Sequence, residues 1–228
     1  MYKNCLLNLS VLTVLCFFSS SLLGKKDISN ESSDLLGKHG LKGWKVPKGN
    51  EASKWYQVTN NILEVRSGPK KKGSVLWTEK EYLDFEVTFG FRFIEGTIDS
   101  GIHLRNSDQI QIGISGSLKR DMTCSPYIPG KGYPVEAKNI KKLLKPKGWN
   151  QMRIRAVGQN YTVWLQEEEV MKYKSSSAKE KGPIGIQLHG SRNMKIDFKD
   201  ISVKDILHDR RFWLVRIGTT LPSFYCQI

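Results

Sequence analysis

The chain has 228 residues, enough for one large domain with a buried core. Its 39% hydrophobic and 25% charged residues exclude a chain that is disordered throughout or embedded in a membrane. The net charge of +14 raises nucleic acid as a partner, but no helix-turn-helix, zinc-finger or aromatic stacking motif accompanies the lysines of Pro69–Gly73 and Lys138–Lys147, so these read as solvated loops and no nucleic acid is expected.

Lys3 gives the first four residues one positive charge, Cys5–Leu23 is apolar or small, and Lys25 and Lys26 end the run. A basic start, an apolar centre and a Ser-rich end predict a secretory signal peptide over residues 1–24. An uncleaved anchor and lipid attachment at Cys16 are the alternatives, and no other membrane association is expected. The protein is therefore expected to be exported and periplasmic or attached to the cell envelope. Residues 25–34 are polar and read as a linker. Beyond the signal segment only Cys124 and Cys226 remain; they are able to pair in an oxidising compartment but make no disulfide scaffold. No Cys/His cluster has zinc spacing, so no cofactor is expected, and nothing in the spacing calls for a divalent metal.

The domain is predicted over residues 35–206. Trp44, Val46, Trp55, Tyr56 and Val58 supply aromatic and β-branched weight, and Asn60-Asn61 reads as a tight turn before a strand at Ile62–Arg66. Leu83–Phe93 is the clearest strand, with Phe85, Val87, Phe89, Phe91 and Phe93 on one face and Asp84, Glu86, Thr88 and Arg92 on the other. Ser115–Pro134 is rich in Gly, Pro, Ser and Tyr and lacks periodicity, which suggests a functional loop. A short helical turn is expected within Ala137–Leu144, ended by Pro146. Strands resume at Asn150–Val157, Tyr161–Leu165, Val170–Tyr173, Gly182–His189 and Met194–Val203. Many short strands and no long helix predict an all-β, two-sheet antiparallel sandwich of jelly-roll type. Residues 207–228 form a basic and apolar extension with no assigned role.

Three strands carry unusual polar faces. Gly101, His103 and Arg105 alternate with Ile102 and Leu104; Gln109 and Gln111 alternate with Ile110 and Ile112; Gln187 and His189 alternate with Ile186 and Leu188. As neighbours these strands would floor one groove. Gln and Arg give directional hydrogen bonds to hydroxyls, and His adds a proton shuttle, so the groove suits a carbohydrate. Among the carboxylates, Asp84 and Glu86 share a strand face, while Glu79, Asp121 and Glu136 lie near loops able to close over the groove, Glu136 being preferred. Tyr127 and Lys138 complete the expected substrate-binding set, and Trp77, Tyr127 and Trp149 are candidate aromatic platforms.

The motifs GWKV at Gly43–Val46, LWTEKEYLDFEVTFGFRF at Leu76–Phe93, SGIHLR at Ser100–Arg105, QIQIG at Gln109–Gly113, GWN at Gly148–Asn150, YTVWL at Tyr161–Leu165 and GPIGIQLHG at Gly182–Gly190 occur in this order. Together they resemble the 3-keto-disaccharide hydrolase domain family. The resemblance implies a concanavalin A-like jelly roll in exported bacterial proteins. It departs at Gln109, where many members carry Glu.

That family's substrates imply a reaction. A ketone at C3 of a sugar acidifies the C2 proton; a base removes it, the C1 substituent leaves, and water adds back. On this reading His103 or His189 is the base, Arg105 stabilises the enolate and Glu136 is the acid, with Glu79, Gln109, Gln111, Asp121, Tyr127, Lys138 and Gln187 around the substrate. A carbohydrate-binding module without catalysis on the same fold is the competing expectation.

Overall fold

The computed structural model describes residues 32–37, 40–50 and 54–206. The predicted signal peptide over residues 1–24, most of the linker, the extension at 207–228 and Cys226 lie outside the described residues. The linker expectation is corrected at its end, because Ser33–Asp34 forms strand β1 and pairs with Val203 and Ser202.

Fourteen strands follow among the described residues: β1, then β2 (Trp44–Lys45), β3 (Tyr56–Thr59), β4 (Ile62–Arg66), β5 (Ser74–Tyr82), β6 (Phe85–Gly96), β7 (Asp99–His103), β8 (Gln109–Gly113), β9 (Pro126–Tyr127), β10 (Asn150–Val157), β11 (Asn160–Leu165), β12 (Glu168–Lys174), β13 (Gly182–Leu188) and β14 (Met194–Asp205). One short helix, α1 (Ile140–Leu143), lies where a helical turn was expected. All pairings between strands are antiparallel. They form an eight-stranded sheet ordered β12-β11-β10-β6-β14-β4-β3, with β1 on β14, and a six-stranded sheet ordered β2-β5-β13-β7-β8-β9. The fold is the expected all-β sandwich.

Alternation places the core. Phe85, Val87, Phe89 and Phe91 of β6 are buried, as are Ile196, Phe198 and Val203 of β14 beside them. They face Leu76, Ile102, Ile110, Ile112, Ile184, Ile186 and Leu188 of the smaller sheet in one core. Each such side chain contributes about 1.5–3 kcal/mol by leaving water. The opposite face of β6 is charged. Glu86 accepts from Arg155 Nε at 2.9 Å, and Arg92 Nη2 donates to Asp197 at 2.7 Å. Trp149 lies among these charges, with Arg92 4.6 Å and Lys199 4.8 Å from its ring centroid. It therefore covers the outer face of the larger sheet, away from the groove strands.

The three strands with polar faces are neighbours, since β13 pairs β7 and β7 pairs β8. Their register sets Trp77, Gly185, His103, Gln109 and Tyr127 in one row across the outer face of the smaller sheet. Gln187, Gly101 and Gln111 form the next row.

Candidate functional site

Asp99, Gln109, Gln111, Gln187 and His189 line one cleft of about 460 Å³ on this face, together with Tyr127, Tyr133, Ser115, Ser117 and Arg192. Its floor is a chain of side-chain amides. Gln109 Nε2 donates to Gln111 Oε1 and to Gln187 Oε1, each at 3.0 Å. Gln111 Nε2 donates in turn to Asp99 Oδ1 at 3.0 Å. Gly101 leaves room for this floor, because the Gln109 side chain lies in the space where a Cβ would stand.

Asp99 is the carboxylate of the cleft. It opens β7 and is almost wholly buried. Its second oxygen, Oδ2, accepts no hydrogen bond, although it is buried. Two basic side chains turn toward it: Arg192 Nε at 3.6 Å and His189 Nε2 at 3.8 Å. The other His189 nitrogen, Nδ1, lies 2.6 Å from Gly190 O. Tyr127 and Tyr133, also in the lining, meet edge to face with centroids 5.3 Å apart. Burial raises the Tyr133 phenol, with nearby Asp99 and Tyr127 adding to the rise against a hydrogen bond with Ser115. Tyr133 is thus kept protonated and able to donate.

The expected site residues divide. Gln109, Gln111, Tyr127, Gln187 and His189 line the cleft. His103 stands in the row beside it. Its ring lies 5.3 Å from that of Trp77, and its Nδ1 is 3.3 Å from Ser107 O. Burial lowers its pKa, the Ser107 contact opposing this in part.

Arg105 does not enter the groove, which corrects the expectation drawn from alternation. Strand β7 ends at His103, and Arg105 and Asn106 both take left-handed backbone (φ 54° and 56°), so the period of two stops. The Arg105 side chain is fully buried. It donates to Leu83 O at 2.5 Å, Gly158 O at 2.7 Å, Ala156 O at 3.1 Å, Lys179 O at 3.1 Å and Asp84 Oδ1 at 3.0 Å. It ties together the turns at one end of the sandwich. Asp84 and Glu86 are both engaged by arginines, Asp84 holding Arg105 and Glu86 holding Arg155.

Glu136 and Asp121 lie elsewhere too. They line a separate depression with Arg120, Thr123, Lys141 and Lys142. Glu136 is exposed and paired with Arg120, whose hydrogen bonds hold its carboxyl below the ordinary range. Asp121 accepts from Thr123 N at 2.8 Å. Glu79 on β5 and Lys138 before α1 are exposed and line neither depression. Cys124 is buried, and burial pushes its thiol up. Among the described residues, no three His, Cys, Asp or Glu side chains gather as for a metal.

Residues 31–204 match the family model described as the 3-keto-alpha-glucoside-1,2-lyase-like domain. The chain belongs to this family. No curated protein matches it. Among solved structures, a candidate glycosyl hydrolase from Parabacteroides distasonis is similar at 22% identity and a TM-score of 0.58, over 78% of this chain and 100% of that one. The exoplasmic/lumenal domain of VIP36, solved with calcium and a mannose-containing glycan, is similar at 10% identity and 0.54, over 83% and 94%. A Bacillus subtilis protein of galectin-like fold is similar at 13% and 0.52, over 77% and 94%. At these identities the likeness is one of fold, a lectin-like sandwich. For a 3-keto-alpha-glucoside-1,2-lyase-like domain, then, the cleft residues that the sequence did not single out include Asp99, Arg192 and Tyr133. Asp99 continues the alternation of Gly101 and His103 by one step and was open to detection. Arg192 and Tyr133 sit in irregular segments, where no periodicity marks them.

Proposed function

We propose that this protein is an exported enzyme that cleaves 3-keto-glycosides by elimination across C1 and C2. The observation that carries the reading is the convergence of Arg192 and His189 on Asp99 Oδ2, a buried carboxylate oxygen with no hydrogen-bond donor of its own. A carboxylate so placed is positioned to act as a general base. Asp99 takes the C2 proton, whose acidity comes from the C3 ketone. The electrons pass into the carbonyl, and the Arg192 guanidinium stabilises the negative oxygen that forms. The enolate collapses by expelling the C1 oxygen, which takes a proton from His189. The products are a 1,2-unsaturated 3-keto sugar and the free alcohol. Water added across the new double bond gives the free 3-keto sugar.

The glutamine floor holds the sugar hydroxyls. Gln109, Gln111 and Gln187 are mutually fixed, so their remaining lone pairs and N–H groups are aimed before substrate arrives. This chemistry needs one carboxylate near C2 rather than two flanking the glycosidic bond, which agrees with a cleft lined by Asp99 as its single carboxylate. Export rests on the apolar run Cys5–Leu23 closed by Lys25 and Lys26.

The test is to incubate the mature protein with a glucoside and its 3-keto derivative. Release from the keto sugar alone supports the reading. Binding of both without release from either favours a carbohydrate-binding module instead.

A further inference from the structure

Two connections pass between the sheets side by side. Residues 67–73 lead from β4 of the larger sheet to β5 of the smaller, and residues 189–193 lead back from β13 to β14. They are neighbours because β4 pairs with β14 and β5 with β13. The second crossing carries both His189 and Arg192. We infer that Ser67, on the first crossing and outside the cleft lining, is a positioning residue that fixes Arg192 beside Asp99. The inference rests on the reading above, in which the Arg192 guanidinium stabilises the enolate.

The arginine does not hold itself in place. Its Nε stops 3.6 Å from Asp99 Oδ2, an oxygen that accepts no hydrogen bond among the described residues. A long side chain with many rotamers is not pinned by a contact of that length. Gly116 leaves the guanidinium its space, since a Cβ there would stand 3.0 Å from Nη2. Its aim is therefore set by the main chain from which it starts.

That main chain is clasped from the first crossing. Ser67 Oγ donates to Arg192 O at 2.7 Å and accepts from Met194 N at 2.9 Å, while Ser67 N donates to Met194 O at 3.0 Å. One hydroxyl thus uses its proton and a lone pair to bracket residues 192–194. Farther along, Ser191 N donates to Lys71 O at 2.8 Å. Gly73 and Gly190 let the two backbones touch, because a Cβ on either would stand 2.9 Å from the other's amide nitrogen. Of these ties, those of the Ser67 hydroxyl are made by a side chain, so a substitution removes them without altering the backbone. The chemistry says which constant responds. Arg192 meets negative charge only as the enolate forms, so a misaimed guanidinium weakens the transition state and leaves substrate binding nearly unchanged.

The experiment measures alcohol release from a 3-keto-glucoside by Ser67→Ala and Ser67→Thr, and by S67A in an Arg192→Met background. S67A is expected to lower kcat about tenfold with KM near the wild-type value, and S67T, which keeps the hydroxyl, to restore kcat. In R192M, S67A is expected to cause no further loss, because no guanidinium is left to aim. An equal loss in both backgrounds, full kcat in S67A, or no recovery in S67T would overturn the inference. Should S67A fail to fold, Ser67→Cys keeps the bulk with a weak donor and is expected to show the same pattern. Should the wild type release nothing from the keto sugar, the proposed reaction fails, and the clasp is read instead in the proton–nitrogen NMR signal of the Arg192 Nε–H, assigned by its loss in R192M. That signal is expected to stand apart in the wild type and S67T and to move to the position of solvent-exposed arginines in S67A. An unchanged signal in S67A would overturn the inference.

Discussion

The Gln109 amide nitrogen lies 2.1 Å from the point where a Cβ on Gly101 would stand. The glutamine floor of the cleft therefore exists because its neighbour on β7 has no side chain. Gly101→Ala is expected to displace Gln109 and break its bonds to Gln111 and Gln187. The cost is about 1–3 kcal/mol of overpacking, read as a lower denaturant midpoint. In the fraction that stays folded, sugar affinity is expected to fall as well, which calorimetry would measure.

Arg105 is a structural cation. Its fully buried guanidinium satisfies four backbone carbonyls and Asp84. Arg105→Met is expected to remove these five hydrogen bonds and to destabilise the fold by about 3–5 kcal/mol in urea unfolding. Under conditions where R105M remains folded, kcat is expected to match the wild type.

Glu136 gives the contrasting result. It is exposed, paired with Arg120 and outside the cleft lining. Glu136→Gln is expected to leave both activity and stability within experimental error, since exposed ion pairs contribute little. A large loss of kcat in E136Q would restore it as a candidate acid.

His103 makes stability depend on pH. Burial lowers its pKa from the ordinary 6.5. Below about pH 6.5 the unfolded chain takes up a proton on this ring before the native chain does. Its contribution is therefore full above that pH and is lost as pH falls toward the native value. His103→Gln is expected to show a smaller drop in urea midpoint between about pH 7.5 and pH 5.5 than the wild type. An equal drop in both would contradict this assignment.

The fold was legible because period-two patterning is strong where a strand has one face in a core. Phe85, Val87, Phe89 and Phe91 on β6 announced the larger sheet, and Ile102, Ile110 and Ile186 announced the smaller one. The same rule placed Gln109, Gln111, Gln187 and His189 on one face. It failed at Arg105, where two left-handed residues end the strand, because alternation says nothing once the backbone turns. It was applied one residue short at Asp99. Arg192 and Tyr133 come from irregular segments, and the Trp77–Gly185 contact joins β5 to β13 across more than a hundred residues. Such relationships depend on register between strands distant in sequence, which one strand's own pattern does not carry.

In the proposed reaction Asp99 removes the C2 proton of a 3-keto sugar. The most direct measurement is the rate of alcohol release from a 3-keto-glucoside carrying deuterium at C2, for the wild type and for Asp99→Asn. The predicted result is a clear slowing by deuterium in the wild type, and in D99N a loss of kcat of about a hundredfold or more with the fold intact. Release from the unoxidised glucoside at a similar rate, or full activity in D99N, would contradict it.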